Sequence, residues 1–568
     1  EHDQPLRISY ASGDRLDFSY LHASSYTEVT RRLSRADGAM ISTGSSRHDA
    51  VSGLPLHGYL ATPAELVVQH HYNGLDDLLQ TTLHGQFGNT TDVTTSTFSY
   101  GYDNEGRLRQ IDDGLNGVTS FSYDLFGRVT GVADANGGAT QYDYSAWGEL
   151  LRLFSPDSGT GSYVYDAAGN LVSEVDANGL RTLYTHDAFN RPAGIDYAGE
   201  ELDVLLSYDE GAFGKGRLTS ATDGSGSSSY HYDERGLLLM SSTAVAAQNL
   251  DVSYSYNDAG QLTGIGYPSG AWVSYSHDSA GRLSAIGHEY HGVSSALLGN
   301  ISWHGSSMAG YRQGNGVVTE LIHDASGRLV EKRFGSDESL RLGLDGQGQV
   351  TGQQWGSAGA SANSAYLYDH LGRLTLDGVA NETLSYDAVG NRLTRQTGAA
   401  SEIYGYEANS SRLVLAGSAA IRRDAAGNRL DDGVRQFHYD ASNRLAGLHS
   451  SGTGVQASYS YNYRGERVRK RLAGATTADI RFVYGQHGEL LGEYDSGGGL
   501  IREYIYVDGA AGRELLAQVE ADGAILAIHT DHLATPRLAT AQDRSIVWRW
   551  RGDAFGATDA DGDPDGDG

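Results

Sequence analysis

The stretch YGYDNEGRL at residues 100–108 decides the fold of this chain, because variants of it recur along most of the sequence. FSYDLFGRV at 121–129, YDYSAWGEL at 142–150 and YVYDAAGNL at 163–171 follow, each 21 residues after the copy before it. Later copies include YHYDERGLL at 230–238, YLYDHLGRL at 366–374, FHYDASNRL at 437–445 and FVYGQHGEL at 482–490. Self-similarity kept over this length identifies a tandem-repeat protein.

Each copy predicts a β-hairpin. Alternating aromatic residues place their side chains on one face of a strand. In the Asp-x-x-Gly turn that follows, the aspartate bonds the turn backbone and the glycine accepts a positive φ. The signature residues of this prediction are Tyr102, Asp103, Gly106, Arg107, Tyr123, Asp124, Gly127, Tyr165, Asp166, Gly169, Tyr368, Asp369, Gly372 and Arg373.

The composition agrees with many short strands. The 568 residues include 76 glycines and 36 tyrosines but only 8 prolines, as expected where interior strands need every N–H for pairing. The lack of cysteine excludes disulfides and thiolate metal sites. A formal net charge of −29 disfavours nucleic acid as a partner, and no apolar run is long enough to predict a membrane span.

The copies resemble the tyrosine–aspartate (YD) repeats of the bacterial Rhs family, which also occur in toxin-complex C subunits and in teneurins. The resemblance covers residues 96–558. It is most specific from Ile528 to Thr558, which is similar to the Rhs core motif DHLGTPR…D…VW…D.FG. The core-motif residues are Asp531, His532, Pro536, Arg537, Trp548, Asp553, Phe555 and Gly556. Ala534 stands where the motif has glycine.

The resemblance implies an all-β fold in which hairpins coil into a large spiral antiparallel sheet that forms a hollow shell. The expected segments are 1–95 (divergent repeats), 96–515 (YD-repeat shell), 516–558 (core-associated segment) and 559–568 (acidic tail). The resemblance also implies a function, as the shell of a polymorphic toxin that encloses a C-terminal toxin domain for bacterial competition or virulence. The implied location is outside a bacterium or on its surface, with loading in the cytoplasm before export, and delivery proteins are implied partners.

Two other functions remain open at this stage. One is adhesion or carbohydrate binding through exposed tyrosine and tryptophan side chains. The other is autoproteolysis, which is disfavoured because the family's self-cleavage motif is absent from this chain. We therefore expect no enzyme activity of the shell and no cofactor.

Several residues suggest chemistry but have a structural explanation. His186, His277 and His323 stand at the tyrosine position, and we interpret them as substitutes for tyrosine. The group His529, Asp531 and His532 is interpreted as structural rather than metal-binding. Arg107, Arg328 and Arg373 are expected to pair with aspartates of neighbouring repeats. The acidic tail reads as a linker, with Asp559, Asp561 and Asp563 as a weak calcium candidate.

Overall fold

The computed structural model describes residues 7–9, 15–22, 26–34, 40–49, 55–60, 66–73, 75–86, 93–115, 117–199, 203–304, 307–324, 327–336, 338–356, 362–452, 454, 456–473, 478–509 and 512–562. Over these residues it contains 51 β-strands and no helix. No part of the described chain therefore offers a helix that could cross a membrane.

The strands are β1 (Arg7–Ser9), β2 (Arg15–His22), β3 (Tyr26–Ser34), β4 (Met40–Asp49), β5 (Pro55–Leu60), β6 (Leu66–Tyr72), β7 (Leu78–Gln86), β8 (Val93–Tyr102), β9 (Leu108–Asp112), β10 (Val118–Tyr123), β11 (Val129–Ala133), β12 (Ala139–Tyr144), β13 (Leu150–Ser155), β14 (Gly159–Tyr165), β15 (Leu171–Val175), β16 (Arg181–His186), β17 (Pro192–Asp196), β18 (Val204–Tyr208), β19 (Leu218–Asp223), β20 (Gly226–Tyr232), β21 (Leu238–Val245), β22 (Gln248–Tyr256), β23 (Leu262–Gly266), β24 (Trp272–His277), β25 (Leu283–Tyr290) and β26 (Val293–His304). They continue with β27 (Ser307–Gln313), β28 (Val318–His323), β29 (Leu329–Phe334), β30 (Glu338–Leu344), β31 (Val350–Trp355), β32 (Ala362–Tyr368), β33 (Leu374–Asp377), β34 (Glu382–Tyr386), β35 (Arg392–Thr397), β36 (Ala400–Tyr406), β37 (Leu413–Ala416), β38 (Ala419–Ala420), β39 (Arg422–Arg423), β40 (Arg429–Asp431), β41 (Arg435–Tyr439), β42 (Leu445–Ser450), β43 (Gln456–Tyr461), β44 (Arg467–Ala473), β45 (Ala478–Tyr484), β46 (Leu490–Tyr494), β47 (Leu500–Gly509), β48 (Gly512–Glu520), β49 (Ile525–Thr530), β50 (Pro536–Thr540) and β51 (Ile546–Arg549).

Consecutive strands pair antiparallel along the chain, as a meander of hairpins predicts. β1–β38 form one sheet of 38 strands and β39–β51 form a second of 13. The two sheets are separated at Ile421, which lies inside the segment 96–515 that was predicted to form one continuous YD-repeat shell. The proposed segment boundaries after residues 95, 515 and 558 stay a prediction.

The turn that follows each aromatic strand, which we call the YD turn, is built by its aspartate. In the turn at 103–106, Asp103 Oδ1 accepts hydrogen bonds from the backbone N–H groups of Glu105 and Arg107, each at 3.0 Å. Gly106 has a φ of 77°, in the region that favours glycine. Aspartate makes the same pair of backbone contacts at 124, 187, 369 and 440.

The arginine after the turn joins one repeat to the next. Arg107 Nε donates to Asp103 Oδ2 at 2.7 Å, and its Nη1 donates to the carbonyl oxygen of Asp124 at 3.0 Å. Its guanidinium carbon lies 4.9 Å from the centroid of the Tyr123 ring. Arg107 therefore does contact the aspartate of the neighbouring repeat, but through its backbone carbonyl, because the carboxylate of its own turn already holds Nε. Arg191 reaches the carboxylate of the next repeat as well, since its Nη2 donates to Asp209 Oδ2 at 2.5 Å.

Arg328 and Arg373 follow the same rule. Each pairs with the aspartate of its own turn, Asp324 at 2.8 Å and Asp369 at 2.6 Å. Each also donates from Nη1 to a carbonyl oxygen of the next repeat, in both cases at 2.7 Å.

The tyrosine of each repeat forms a hydrogen bond with the preceding repeat. The Tyr102 hydroxyl donates to the carbonyl of Leu78 at 2.8 Å, and that of Tyr368 donates to Val350 at 2.9 Å. Both carbonyls belong to the return strand of the preceding hairpin. Each repeat is therefore tied to the previous one by its tyrosine and to the next by its arginine.

A β-bulge stands directly before the second aromatic residue of each hairpin. Ser122 faces Gly131 but Tyr123 faces Val129, so Thr130 is the extra residue. The same slip precedes Tyr102, Tyr165 and Tyr368. It also precedes His186, His277 and His323, which places these histidines in the structural role of the tyrosine. Since a bulge bends and twists its strand, its repetition curves the whole sheet.

The curved sheet winds back on itself, and we call the line where successive coils meet the seam. Ser96 Oγ donates to the carbonyl of His370, 274 residues away, and Asn178 Nδ2 donates to Asp424, 246 residues away. Near the C-terminal end, Ala554 N donates to Asp377 Oδ2 across only 177 residues. Because the separation falls, the later coil needs less chain to close one turn, and the spiral narrows. The sheet is spiral and is not a closed barrel.

Full burial is concentrated where the coil is narrow. Apolar side chains of β22–β27 pack against those of β45–β49 in one cluster that includes Val273, Ile286, Leu298, Leu491 and Ile505. Of the side chains that the structure describes, none of the fully buried apolar ones precedes Val204. The early part of the coil is therefore a wall one sheet thick, and the late part is a packed cap.

Candidate functional site

The closing segment, residues 528–558, ends the described coil and contains the core-motif residues. It comprises the end of β49, the strands β50 and β51 with the turn at Ala541 between them, and two turns that contain core-motif residues and begin at Asp531 and Asp553. It packs against β27–β31 of the preceding coil, so its contacts decide how the narrow end is sealed.

The first turn repeats the design of the YD turns. Asp531 Oδ1 accepts from the N–H groups of Leu533 and Thr535 at 2.8 and 3.0 Å, and its Oδ2 accepts from Arg537 Nε at 2.8 Å. Ala534 has a φ of 62°, where glycine is the favourable residue. The departure from the motif at this position therefore carries backbone strain.

Arg537 connects the two turns of the closing segment. Its guanidinium carbon lies 4.3 Å from the centroid of the Trp550 ring, and Trp550 N donates to the Arg537 carbonyl at 2.8 Å. Trp550 Nε1 in turn donates to the carbonyl of Thr558 at 2.9 Å. The ion pair of Arg537 with the buried Asp531 thus holds the guanidinium against the Trp550 indole.

The second turn is docked onto the preceding coil. Asp553 Oδ1 accepts from the N–H groups of Phe555 and Ala557 at 2.8 and 3.0 Å, and Gly556 has a φ of 72°. The N–H of Ala554 donates to the fully buried Asp377 at 2.7 Å. Asp553 and Gly556 therefore form a turn that contacts Asp377 of the preceding coil through its backbone.

Lys332 forms a buried ion pair under this segment. Its side chain is 2% exposed, and its Nζ lies 2.9 Å from Glu514 Oε2, 3.2 Å from Thr530 Oγ1 and 3.1 Å from the Asp531 carbonyl oxygen. Three acceptors match the three N–H groups of an ammonium. A cation in β29 thereby fixes both β48 and the start of the closing segment.

His529 lies beside this ion pair and is 1% exposed. Its Nε2 is 2.9 Å from Thr540 Oγ1, and its ring meets the Phe334 ring edge-on at 5.1 Å. Burial, together with the nearby charge of Lys332, lowers the pKa of His529 to about 3. Burial also lowers the pKa of His532.

The residues proposed as metal ligands do not assemble as such in the described part of the chain. There, no group of three or more histidine, aspartate or glutamate side chains is arranged to hold a metal ion. Asp561 pairs through its backbone with Arg549, at 2.8 and 2.9 Å. Asp559 lies beside this bridge, and Asp563 lies outside the described residues, so calcium binding by the tail stays a prediction.

Several cavities lie in this part of the coil. One of about 470 Å³ is lined by Phe334, His529 and Thr540. Another, of about 740 Å³, is mostly apolar, with Leu515, Leu526, Ile528, Pro536, Trp548 and Trp550 among its lining residues. A cavity of about 410 Å³ lies outside the closing segment, between the two packed layers. Its walls include Tyr256, Tyr275, Trp303 and Arg513.

Sequence reasoning missed the partners of the closing segment. Lys332 and Glu514 are separated by 182 residues, and neither stands in a motif. Tyr494 and Glu503 form a similar buried contact, with the hydroxyl donating to Oε1 at 2.6 Å, and burial raises the pKa of Glu503. The available signal was only that a charged residue in a strand between apolar neighbours requires a partner.

Replacement of Lys332 by methionine should destabilise the closing segment strongly. K332M leaves the Glu514 carboxylate buried without its cation, which costs roughly 3–5 kcal/mol of unfolding free energy. The double variant K332M/E514L removes both charges and should recover most of that loss. Urea unfolding followed by tryptophan fluorescence measures both, with K215M, at an exposed position, as the matched control. Equal losses in the single and double variants would contradict the role of the ion pair.

Acid should weaken the same segment through His529. Because its folded pKa lies below the unfolded value near 6.5, the neutral ring contributes its full stability above pH 6.5, and this is lost as the pH falls toward 3. The loss is about 1.4 kcal/mol per pH unit. Urea unfolding from pH 7 to 4.5 should show the gap between the chain and H529L narrowing, while H231L, at an exposed histidine, runs parallel to the unchanged chain. A constant gap for H529L would refute this expectation.

Two protein-family models match the chain. A family model described as Teneurin YD-shell matches residues 184–339 and 328–567, more than half of the chain. A second, described as RHS Repeat, matches residues 102–139, 123–160 and 165–201. No curated protein sequence matches the chain significantly.

Solved structures share the fold at low sequence identity. The crystal structure of TcdB2-TccC3 is 13% identical, with a TM-score of 0.69 over 94% of this chain and 36% of that one. TcdB2-TccC3 without its hypervariable C-terminal region gives 13% and 0.70, over 94% and 35%. The Tc holotoxin pore of Photorhabdus luminescens with a TccC3 variant gives 13% and 0.69, over 94% and 34%. The chain thus spans about a third of the length of these structures.

Proposed function

Because the chain belongs to the teneurin YD-shell family, we propose that it is the wall of an Rhs-type toxin and encloses a toxin domain that follows it. The fold is that of a shell-type protein, similar to the shells of toxin-complex subunits. In this proposal the protein is bacterial, acts in competition or virulence, and is exported. The shell itself catalyses nothing and needs no cofactor.

The observation that supports the proposal is the difference in side-chain burial between the early part of the coil, a wall one sheet thick, and the late part, a packed cap. Along β9–β17 the described apolar and aromatic side chains on both faces of the sheet keep part of their exposure, as on Val164 at 55% and on its half-buried neighbours Tyr163 and Tyr165, and only the small polar side chains of Ser173 and Thr182 are buried. A solid repeat protein would bury one of those faces against a second layer. A one-layer wall joined to a packed end is what a container requires.

The seam supports the same function, because a container must resist opening between its coils. Its contacts recur along the coil, with Asn136 donating to Asp387 at 2.7 Å and Asn443 donating to Asp176 at 2.8 Å. Such amide–carboxylate bonds are charge-assisted and stronger than neutral ones. They keep the wall continuous without a disulfide.

A domain placed behind the chain should be protected from protease. A small protease-sensitive reporter fused after Gly568 is expected to outlast the same reporter fused before Glu1, because only the former would be enclosed. Digestion followed by mass spectrometry measures the two rates. The seam variant N178A/N443A should shorten the lifetime of the C-terminal reporter alone. Equal digestion of both reporters in the unchanged chain would refute encapsulation.

Adhesion through carbohydrate binding remains the second candidate, and the cavity between the layers is where it would reside. Tyr256, Tyr275 and Trp303 line this cavity together with the ion pair of Glu489 and Arg513. Aromatic faces beside charged hydrogen-bonding groups suit a sugar, and the volume of about 410 Å³ is in the range of small-ligand sites. A glycan array should then give hits that W303A loses, whereas an array without hits would exclude this function.

A further inference from the structure

Positive charge is concentrated in one part of this acidic chain. Residues 410–481 hold 12 of the 42 basic residues but only 6 of the 71 acidic ones, so they carry +6 although the net charge of the chain is −29. The rest of the chain is correspondingly more acidic. A basic segment in such a protein is the place to which an anion is attracted.

Strand β44 brings two of these cations to one face of the sheet. Arg467 is the cross-strand partner of Tyr461 and Lys470 is that of Tyr459, and a β-bulge between them makes Val468 the extra residue. The two tyrosines are two positions apart in β43, so they lie on one face. The two cations therefore stand on that face as well, about 7 Å apart along the strand.

No carboxylate neutralises these two cations. Within the part of the chain that the structure describes, neither Arg467 nor Lys470 forms an ion pair at 4.0 Å or less. The Glu493 carboxylate on the same face accepts a hydrogen bond from the Tyr504 hydroxyl at 2.9 Å. Arg467 is exposed and Lys470 is half-buried, so an anion from outside the sheet can reach both.

The guanidinium group of Arg467 is held in place by two aromatic rings. Its carbon lies 4.7 Å from the centroid of the Phe482 ring and 5.5 Å from that of the Tyr459 ring. Among the described residues, its N–H groups have no hydrogen-bond acceptor. A guanidinium fixed in this way presents its N–H groups as a fork, which matches the two oxygens of a carboxylate.

Two further arginines extend the positive charge toward β41. The guanidinium carbons of Arg429 and Arg435 lie 4.9 and 5.7 Å from the Phe437 ring centroid, and Phe437 is on the same face of the sheet as Tyr459. Both arginines share the single carboxylate of Asp432, at 3.7 and 2.8 Å. We call the four cations of this surface the basic face, which consists of Arg429, Arg435, Arg467 and Lys470.

The surroundings favour a short acidic polypeptide segment over a nucleic acid. Guanidinium groups already occupy the aromatic rings of the basic face, which leaves these rings unsuited to stacking on bases. A long polyanion would also extend over the acidic remainder of the chain and be repelled by it. A short segment that carries carboxylates meets neither obstacle.

The spacing of the two unpaired cations fits an extended chain. In a β-strand, the side chains of residues i and i+2 lie on one face about 7 Å apart. This distance equals the separation of Arg467 and Lys470 along β44. A segment with a carboxylate at every second residue can therefore pair with both cations at once.

We propose that the basic face binds an extended acidic segment of a partner protein, in which every second residue carries a carboxylate. Neighbouring carboxylates on one side of the segment pair with Arg467 and Lys470. The surplus positive charge at Arg429 and Arg435 attracts the rest of the segment. The proposal does not depend on what the shell encloses.

Fluorescence anisotropy of a labelled peptide of alternating glutamate and serine, mixed with the full chain, tests the proposal. The peptide should bind at low ionic strength and be released by salt, which screens the charges. A peptide with the same number of glutamates at every third residue should bind more weakly, because its neighbouring carboxylates point to opposite faces.

The variant R467Q/K470Q should weaken binding of the alternating peptide at least about 10-fold, since two charge-assisted contacts are lost. The matched control R422Q/R471Q also removes two exposed positive charges, but Arg471 is the cross-strand partner of Ser458 on the other face of β44. This control should keep the affinity within about twofold. If loss of Arg467 disturbs the fold, K470Q compared with R471Q decides the question.

Four results would overturn the proposal. The first is no binding of the alternating peptide to the unchanged chain at low ionic strength, and the second is equal binding of the two peptides. The third is an unchanged affinity in R467Q/K470Q when its circular dichroism matches that of the unchanged chain. The fourth is tighter binding of single-stranded oligothymidylate that the same variant loses, which would assign the basic face to nucleic acid instead.

Discussion

The unpaired edge of a β-hairpin is the constraint on which the rest of this structure depends. A hairpin exposes N–H and C=O groups on both outer strands, and in isolation it is marginal. Here each edge is covered by the next hairpin, from β1 to β38 and again from β39 to β51. Tyrosine and arginine reinforce this pairing in opposite directions, so the backbone, the phenol and the guanidinium all join the same neighbours. A protein with few fully buried residues in its wall is stabilised along the sheet rather than across a core.

Much of this architecture could be predicted from local sequence. The Asp-x-x-Gly turns, the alternating aromatic residues and the all-β fold follow from rules that act within about ten residues, and all are present in the structure. The bulge before Tyr123 could not be predicted, because it needs one extra residue in the partner strand and leaves no distinct residue type behind. The seam could not be predicted either, since its contacts join residues up to 274 positions apart.

The closing segment also combines features that could be predicted from the sequence with features that could not. Resemblance to the Rhs core motif identified Asp531, Arg537 and Trp548, and the structure gives the first two a paired role and places the third at an apolar cavity. Lys332 and Glu514 escaped notice, because an isolated lysine or glutamate in a strand is most often solvated. Only the fold brings them together and takes both out of water. Interactions that depend on packing between coils cannot be predicted from the sequence of single repeats.

The recurrence of the seam contacts has a consequence for how such shells change in evolution. Asn136 donates to Asp387, and two hairpins later Asn178 donates to Asp424 in the same way. Equivalent turns recur along both facing rows, so a shift of one row by a repeat places equivalent residues opposite each other. A coil that gains or loses a repeat can therefore re-engage one step further along. Duplication or deletion within the gene would then change the length of the coil by one hairpin at a time, with no new kind of contact required.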